Sequence, residues 1–308
     1  MNNEQTSTSS IMNSILIMKP KPSPYKLKRI GGRRDGAYLI PEDLDGIEAC
    51  FSPGVQNFKN FEDELSDLYG IKCHMCDYSS DVVKFKTPIK EGIQTFKKKW
   101  LDIDGGSNSI TLEEWVQELC PNPDHDLLLQ MDIDGAEYKN LLNCKDSVLK
   151  RFRIIVLEVH HLQVVNDVVE FEKELGPLLR KLDKNFICIH AHANNCCGDF
   201  MFAQTDFNVP RVNELTLLRR DRFEQVNTSN WYKPLIPHPL DISLNGRKKP
   251  PLFLNEAWCS DGSRAFVSKI TIFRAQFVYI LLKVFRAVRY TIKSLFPLKR
   301  KSRRKHKQ

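Results

Sequence analysis

Apolar positions along the chain fall into two alternating patterns. Short continuous apolar runs, the mark of strands buried on both faces, occupy 47–55 (IEACFSPGV), 71–80 (IKCHMCDYSS), 126–134 (DLLLQMDID), 153–161 (RIIVLEVHH), 186–193 (FICIHAHA) and 212–221 (VNELTLLRRD). Segments with helical spacing lie between them. In 58–70, Phe61, Leu65 and Leu68 share a helical face and Gly70 supplies a stop. Thr111 and Glu114 form a capping-box signature ahead of LEEWVQELC. Another helix begins in GAEYKNLLNC, and 168–185 reads as an amphipathic helix interrupted near Gly176-Pro177. KKKWLDID supplies a third strand. Strands alternating with helices of about a dozen residues predict a doubly wound α/β fold around a mostly parallel sheet of about seven strands. No good helix separates the last two strands, so an antiparallel strand is expected at the sheet's edge.

The ends of the chain break this pattern. Residues 1–24 are polar, then interrupted by Pro20, Pro22 and Pro24, and are expected to be disordered. Residues 25–262 form the expected globular domain. Residues 263–308 form a basic amphipathic helix and tail: Phe277, Ile280, Leu281, Val284, Val288, Ile292 and Leu295 follow one helical face, with Lys283, Arg286, Arg289 and Lys293 on the other. The chain's net charge of +8 comes from this end. From Gly262 onward there are 14 Lys or Arg and no Asp or Glu, which leaves 32 basic against 38 acidic residues elsewhere. The body is therefore acidic, and the overall charge is no argument for nucleic acid. The longest uncharged stretch of the tail is too short to span a bilayer. An interfacial helix attracted to anionic lipid is the expected reading, ahead of a helix packed on the body or a nucleic-acid arm.

Nine cysteines, an odd number with no secretory signal ahead of them, fit reduced thiols and a cytoplasmic protein, peripheral on a membrane through its tail. Cys73 and Cys76 have zinc-like spacing, but in a strand they fall on opposite faces, so no metal site is assigned to them.

Ligands of doubly wound sheets bind beyond the carboxyl ends of the strands. Gly54 follows the first core strand, where a turn lets backbone approach a ligand. Asp77 ends the next strand, about 20 residues on, the placement of a ribose-binding carboxylate or simply of a turn cap. Asp132, Asp134 and Glu137 crowd the end of LLLQM; such acids bind a divalent cation, or serve as partners of the helix dipole.

These pieces resemble a known family. LLLQMDIDGAEYKNLL followed by RIIVLEVHHL resembles the FkbM-like branch of the class I, Rossmann-like S-adenosylmethionine-dependent methyltransferases. KRIGGRRDGAYLIPEDL resembles that family's opening segment, ACFSPGVQNFKNFEDEL its first strand and helix, and HAHANNC and VPRVNELTLLRRD its later segments. The resemblance runs in order from about Arg29 to Asp221. Departures are Ala37 in place of a second glycine, Asp134 where Glu is common, and SPGV in place of a G-x-G-type turn. The resemblance implies S-adenosylmethionine over Gly54, with Asp77 near the ribose, Asp102 near the adenine, and Asp132 facing the methionine end or the acceptor.

On the acceptor side, Glu158 and His160 share one strand face, His190 and His192 share another, and Asn194 and Asn195 follow. His160, His192 and Asp132 are the expected catalytic groups, because methyl transfer to oxygen needs an aligned hydroxyl and a base for its proton. Asp134, Glu137, Glu158, Asn194 and Asn195 are the expected acceptor-binding groups; core histidines and turn asparagines are the plainer alternative. A bound divalent metal could replace the base, but none is predicted. Trp231, Tyr232 and Trp258 suit a sugar or cover the sheet. The family association with glycan and natural-product O-methylation implies a sugar hydroxyl as acceptor; a non-catalytic module that recognises glycan or a partner at a membrane is the alternative.

Overall fold

The computed structural model describes residues 2–33, 35–202, 205–224, 231–241, 249–259 and 266–295. Its seven-stranded central sheet contains β1 (Ile47–Pro53), β2 (Lys72–Cys76), β3 (Gln94–Lys97), β4 (Asp126–Met131), β5 (Phe152–Val159), β6 (Phe186–Ala193) and β7 (Asn213–Arg219). The order across the sheet is β6-β7-β5-β4-β1-β2-β3. From β5 to β3 every pair is parallel, while β7 runs antiparallel to both β5 and β6. The last two strands do pair antiparallel, but the reversed strand is not the edge. It inserts between β6 and β5, and β6 is outermost. The mixed α/β architecture with a mostly parallel sheet is compatible with a Rossmann-like fold.

Alternate residues of the central strands feed two cores, as a sheet buried on both faces requires. Ala49, Phe51, Leu127, Leu129 and Met131 join one; Cys50 and Leu128 join the other. The longer helices among the described residues are α1 (Asn2–Ile15), α2 (Asn60–Tyr69), α3 (Leu112–Leu119) and α4 (Glu137–Asn143), with Val168–Lys173, Leu175–Asp183 and Phe266–Leu295 after them. The first core receives Trp115 of α3, Leu141 of α4 and Leu178 of Leu175–Asp183. The second receives Phe61 and Leu65 of α2 and an antiparallel ribbon, Leu27–Ile30 with Tyr38–Pro41. Cys73 and Cys76 are both buried, one in each core, which rules out their sharing a zinc ion.

Four expectations change. Residues 1–24 are not simply disordered: α1 and a single turn, Leu16–Met18, bring Ile11, Ile15 and Met18 into the first core. Their four- and three-residue spacing makes a helical face that the Ser/Thr-rich composition hides. The helix expected over 168–185 divides at Glu174, and Pro177 falls in the first turn of the second piece, where its missing N–H costs little. The third strand is Gln94–Lys97; Trp100–Leu101 instead pairs with Ser109–Ile110 in a separate ribbon. Leu68 is exposed, because the buried stripe of α2 runs through Phe61, Glu62 and Leu65.

The C-terminal helix is continuous over Phe266–Leu295, and residues 263–265 and 296–308 of the expected tail lie outside the described residues. Among the described residues no helix is long and apolar enough to cross a membrane.

At the amino end of β4, Asp126 ties three strands together. Its Oδ1 accepts from Arg219 at 2.5 Å and its Oδ2 from Arg153 at 2.7 Å. Burial alone would raise the Asp126 pKa, but the two guanidinium groups outweigh it and hold the carboxyl below its ordinary value. A lowered folded-state pKa stabilises the fold above the unfolded value, near 3.9, and the contribution is lost as pH falls through the lowered value. Asp126→Asn is expected to cost about 2 kcal/mol at neutral pH, between the exposed and buried limits for an ion pair. In urea denaturation the difference from wild type should shrink below about pH 4; a difference independent of pH would contradict this role.

Candidate functional site

The site is built where β1 and β4, neighbours at the centre of the sheet, release their chains. Gly54 leaves β1 with φ +85°, and its N–H donates to the Cys76 carbonyl at 3.0 Å. A Cβ here would lie 1.7 Å from the Asp132 carbonyl oxygen. Only glycine fits, and the first reason is the backbone of β4 rather than a ligand. The loop continues through Gln56 (φ 43°) and Asn57 (φ 63°), left-handed positions that need outside support. Asp77 supplies it. Its carboxylate accepts from Gln56 N at 2.9 Å, Ser79 N at 2.8 Å, and the Ser79 and Ser80 hydroxyls at 2.7 Å each. Burial would push Asp77 up, but these hydrogen bonds prevail and hold its pKa below the ordinary value.

Above this loop opens a cavity of about 520 Å³, within the range of small-molecule sites. Gly54, Val55 and Gln56 form one wall, Asp35, Gly36 and Tyr38 another, and Phe58, Phe61 and Lys86 contribute an aromatic and cationic side. Gln130 and Asp132 of the β4 end complete it, together with Glu62, whose burial raises its pKa to about 7. Asp77 is not among the lining residues: it shapes the wall through Gln56. Asp102 lies away from the cavity, because the strand that was to carry it there is the separate ribbon; its carboxylate accepts from Lys139 Nζ at 2.8 Å and Ile103 N at 2.8 Å.

Beside Asp132, the end of β5 brings in Glu158 and His160. His160 Nδ1 lies 3.0 Å from Glu137 Oε1 and 3.1 Å from the Glu158 carbonyl. Its Nε2 faces Asp132 Oδ1 and Glu158 Oε1, both at 3.8 Å, and Asp134 Oδ1 at 3.9 Å. One donor atom each from Asp132, Glu158 and His160 lies within 4.8 Å of the others. Burial pushes Asp132 up to about 7 against the pull of His160, and burial with neighbouring carboxylates pushes Glu158 well above its ordinary range. For His160, burial lowers the pKa, but Glu137, Asp132 and Asp134 more than reverse it. Asp134 is largely exposed in the left-handed region, at φ 55°. Glu137 is fully buried at the start of α4, where Oε1 also accepts from Ile133 N at 2.9 Å.

The other expected residues do different work. His192 does not reach Asp132. With β7 and β5 between their strands, at about 4.8 Å per strand step, the two are about 14 Å apart across the sheet. His190 Nε2 and His192 Nδ1 instead flank the buried Asp241, at 3.0 and 3.5 Å. Asn194 donates to Glu158 Oε1 at 2.9 Å and Glu214 Oε1 at 3.5 Å, so it bridges two buried carboxyls rather than facing an acceptor. Asn195 donates to the Lys249 and Pro250 carbonyls, holding a later segment. Trp258 is buried with its Nε1 on the Asn208 carbonyl, Trp231 packs on Phe223, and Tyr232 bridges to Ser23. None of the three lines the cavity.

Sequence reasoning missed Tyr38, Gln130 and Asp241. Tyr38 donates to Glu158 Oε2 at 3.5 Å and accepts from Gln130 Nε2 at 3.4 Å, linking cavity wall to acid cluster. Gln130 carried a signal, a lone amide inside LLLQM. Asp241 carried none, being an isolated acid far along the chain.

Gly54→Ala should disturb both strand ends at once, at a cost of about 3 kcal/mol or more. The melting midpoint of the variant is expected to drop by roughly 6–12 °C, and an unchanged midpoint would refute the crowding at Asp132. The chain matches no protein-family model, no curated protein and no solved structure.

Proposed function

We propose that the chain is an S-adenosylmethionine-dependent methyltransferase with a doubly wound, class I architecture, acting on a hydroxyl of a sugar or related acceptor. The observation that carries this reading is the cavity over the Gly54 loop, with the Asp132–Glu158–His160 cluster at its β4 end. The order of the strands supports it: the chain moves outward from β1 in one direction and from β4 in the other, which is the switch point where such sheets take ligands. The cavity suits a nucleoside-sized group, with backbone at Gly54, the Phe58 ring and polar atoms of Gln56 and Gln130 in its walls.

S-adenosylmethionine supplies an electrophilic methyl carbon when bound. The chain's own work is to orient the acceptor and remove its proton. Asp132 is the cluster carboxylate that also lines the cavity, so its Oδ atoms take that proton. Glu137 fixes the His160 ring from behind, and Tyr38 and Asn194 orient Glu158. Asp134, exposed beside the cluster, is the group open to acceptor hydroxyls. A second reading, a non-catalytic binding module, draws on Asp77, whose oxygens already hold four donors from its own loop.

Titration calorimetry with S-adenosylhomocysteine separates these readings and the roles. Wild type and Asp132→Asn should bind alike, whereas Asp77→Ala, which releases the loop, should bind at least about 10-fold more weakly. With tritiated donor and a saccharide panel, Asp132→Asn should lose about 10²–10⁴ in rate. Full transfer by Asp132→Asn would overturn its assignment as base.

The partner we propose for the C-terminal helix is an anionic membrane surface. Ile270, Phe273, Phe277, Ile280, Leu281, Val284 and Val288 are all exposed along it, beside Lys283, Arg286 and Arg289. An apolar stripe flanked by cations matches the interface of a negatively charged leaflet. Flotation should carry the full chain with phosphatidylserine-containing vesicles, but not with neutral ones and not after removal of 263–308. Flotation independent of that segment would exclude this partner.

A further inference from the structure

We propose that Asp132, Glu158 and His160 form a binding site for a divalent cation of the Mn²⁺ class at the carboxyl ends of β4 and β5. His160 Nε2 stands too far from both carboxylates for a hydrogen bond and at the right spacing for an ion between them. His160 Nε2 is 3.8 Å from Asp132 Oδ1 and 3.8 Å from Glu158 Oε1, and no pair among the three atoms exceeds 4.8 Å. A point equidistant from the corners of such a triangle lies about 2.0–2.5 Å from each, the span of bonds from divalent cations to oxygen and nitrogen.

The imidazole is already set for this. Both neighbours of Nδ1, Glu137 Oε1 at 3.0 Å and the Glu158 carbonyl at 3.1 Å, are acceptors, so Nδ1 carries a proton and Nε2, which faces the carboxylates, is the ring atom left for a cation. A ligand histidine held from behind by a carboxylate is the common supporting arrangement of metal sites. Glu137 adds a second, separate observation. It is fully buried, and its Oε2 has no hydrogen-bond partner. A buried anion with an orphaned oxygen is costly unless positive charge stands nearby, and a cation across the imidazole supplies it. Asp134 Oδ1, 3.9 Å from Nε2 on an exposed side chain, can swing in as a further oxygen.

Mixed imidazole and carboxylate donors favour a first-row divalent ion over Mg²⁺ or Ca²⁺, which prefer all-oxygen shells. Because Asp132 also lines the cavity, positions left open on the ion face it, where a coordinated hydroxyl would lose its proton more readily. That consequence rests on the transferase reading; the coordination rests only on the donors.

The test uses the full chain, stripped with EDTA, dialysed and titrated with MnCl₂ while electron paramagnetic resonance reads the free hexaaqua ion. One site per chain is expected, with Mg²⁺ displacing Mn²⁺ only at large excess. Glu158→Gln and His160→Ala should each weaken binding at least about 10-fold, and Glu137→Gln, which touches no ion, should weaken it by about 10-fold or more through the ring it holds. Circular dichroism and melting of each variant check that it is folded, and Asp132→Asn serves in place of any that is not. No binding at millimolar Mn²⁺, or binding undiminished in folded Glu158→Gln and His160→Ala, would overturn the site. Titration of S-adenosylhomocysteine in EDTA tests the transferase reading separately, so either can fail alone.

Discussion

The contact between Gly54 and the Asp132 backbone sets the rest of the site. Two parallel strands at the centre of the sheet end side by side, and their outgoing chains leave no room for even one methyl group between them. The β1 chain must therefore turn at a glycine and pass through the left-handed Gln56 and Asn57. That conformation persists because Asp77 and Ser80 hold its N–H groups. The loop so fixed is a wall of the cavity, and the same crowding delivers Asp132 to its other side. Stability and function are thus joined at one glycine.

The second constraint is electrostatic. Asp132, Glu137 and Glu158 converge on a single imidazole in a largely dry environment, with Glu214 close behind through Asn194. Unpaired buried charge is expensive, so Asp132 and Glu158 hold their protons above the usual carboxylate range, or a cation stands among them. Either state gives chemistry that an exposed acid lacks: a base poised near neutrality, or a Lewis acid beside a cavity.

Much of this was legible in the sequence. The apolar run 186–193 is a strand over the same residues, and the capping box at Thr111 and Glu114 forms with both hydrogen bonds in place. Glu158 and His160 were legible as neighbours on one strand face by alternation, and His160 was rightly placed beside Asp132. What failed depended on lateral order. Nothing in the residues says that β7 slips between β5 and β6, so His192 was brought too near Asp132. Asp102 was misplaced for a related reason: KKKWLDID has strand composition, but the sheet takes its third strand from Gln94–Lys97 just before it. The N-terminal helix was hidden because its docking residues, Ile11 to Met18, are confined to one short stretch between Ser/Thr-rich sequence and three prolines. Asp241 was invisible, since its partners lie about 50 residues earlier in the chain.

A crystal structure of the full chain grown with saturating S-adenosylhomocysteine tests the central claim most directly. The expected result is ligand density in the cavity over Gly54, with the sulfur at the Asp132 end and the Gln56–Asn57 loop unmoved. A cavity left without ligand under those conditions, or ligand bound elsewhere on the chain, would contradict the assignment of this site to the methyl donor.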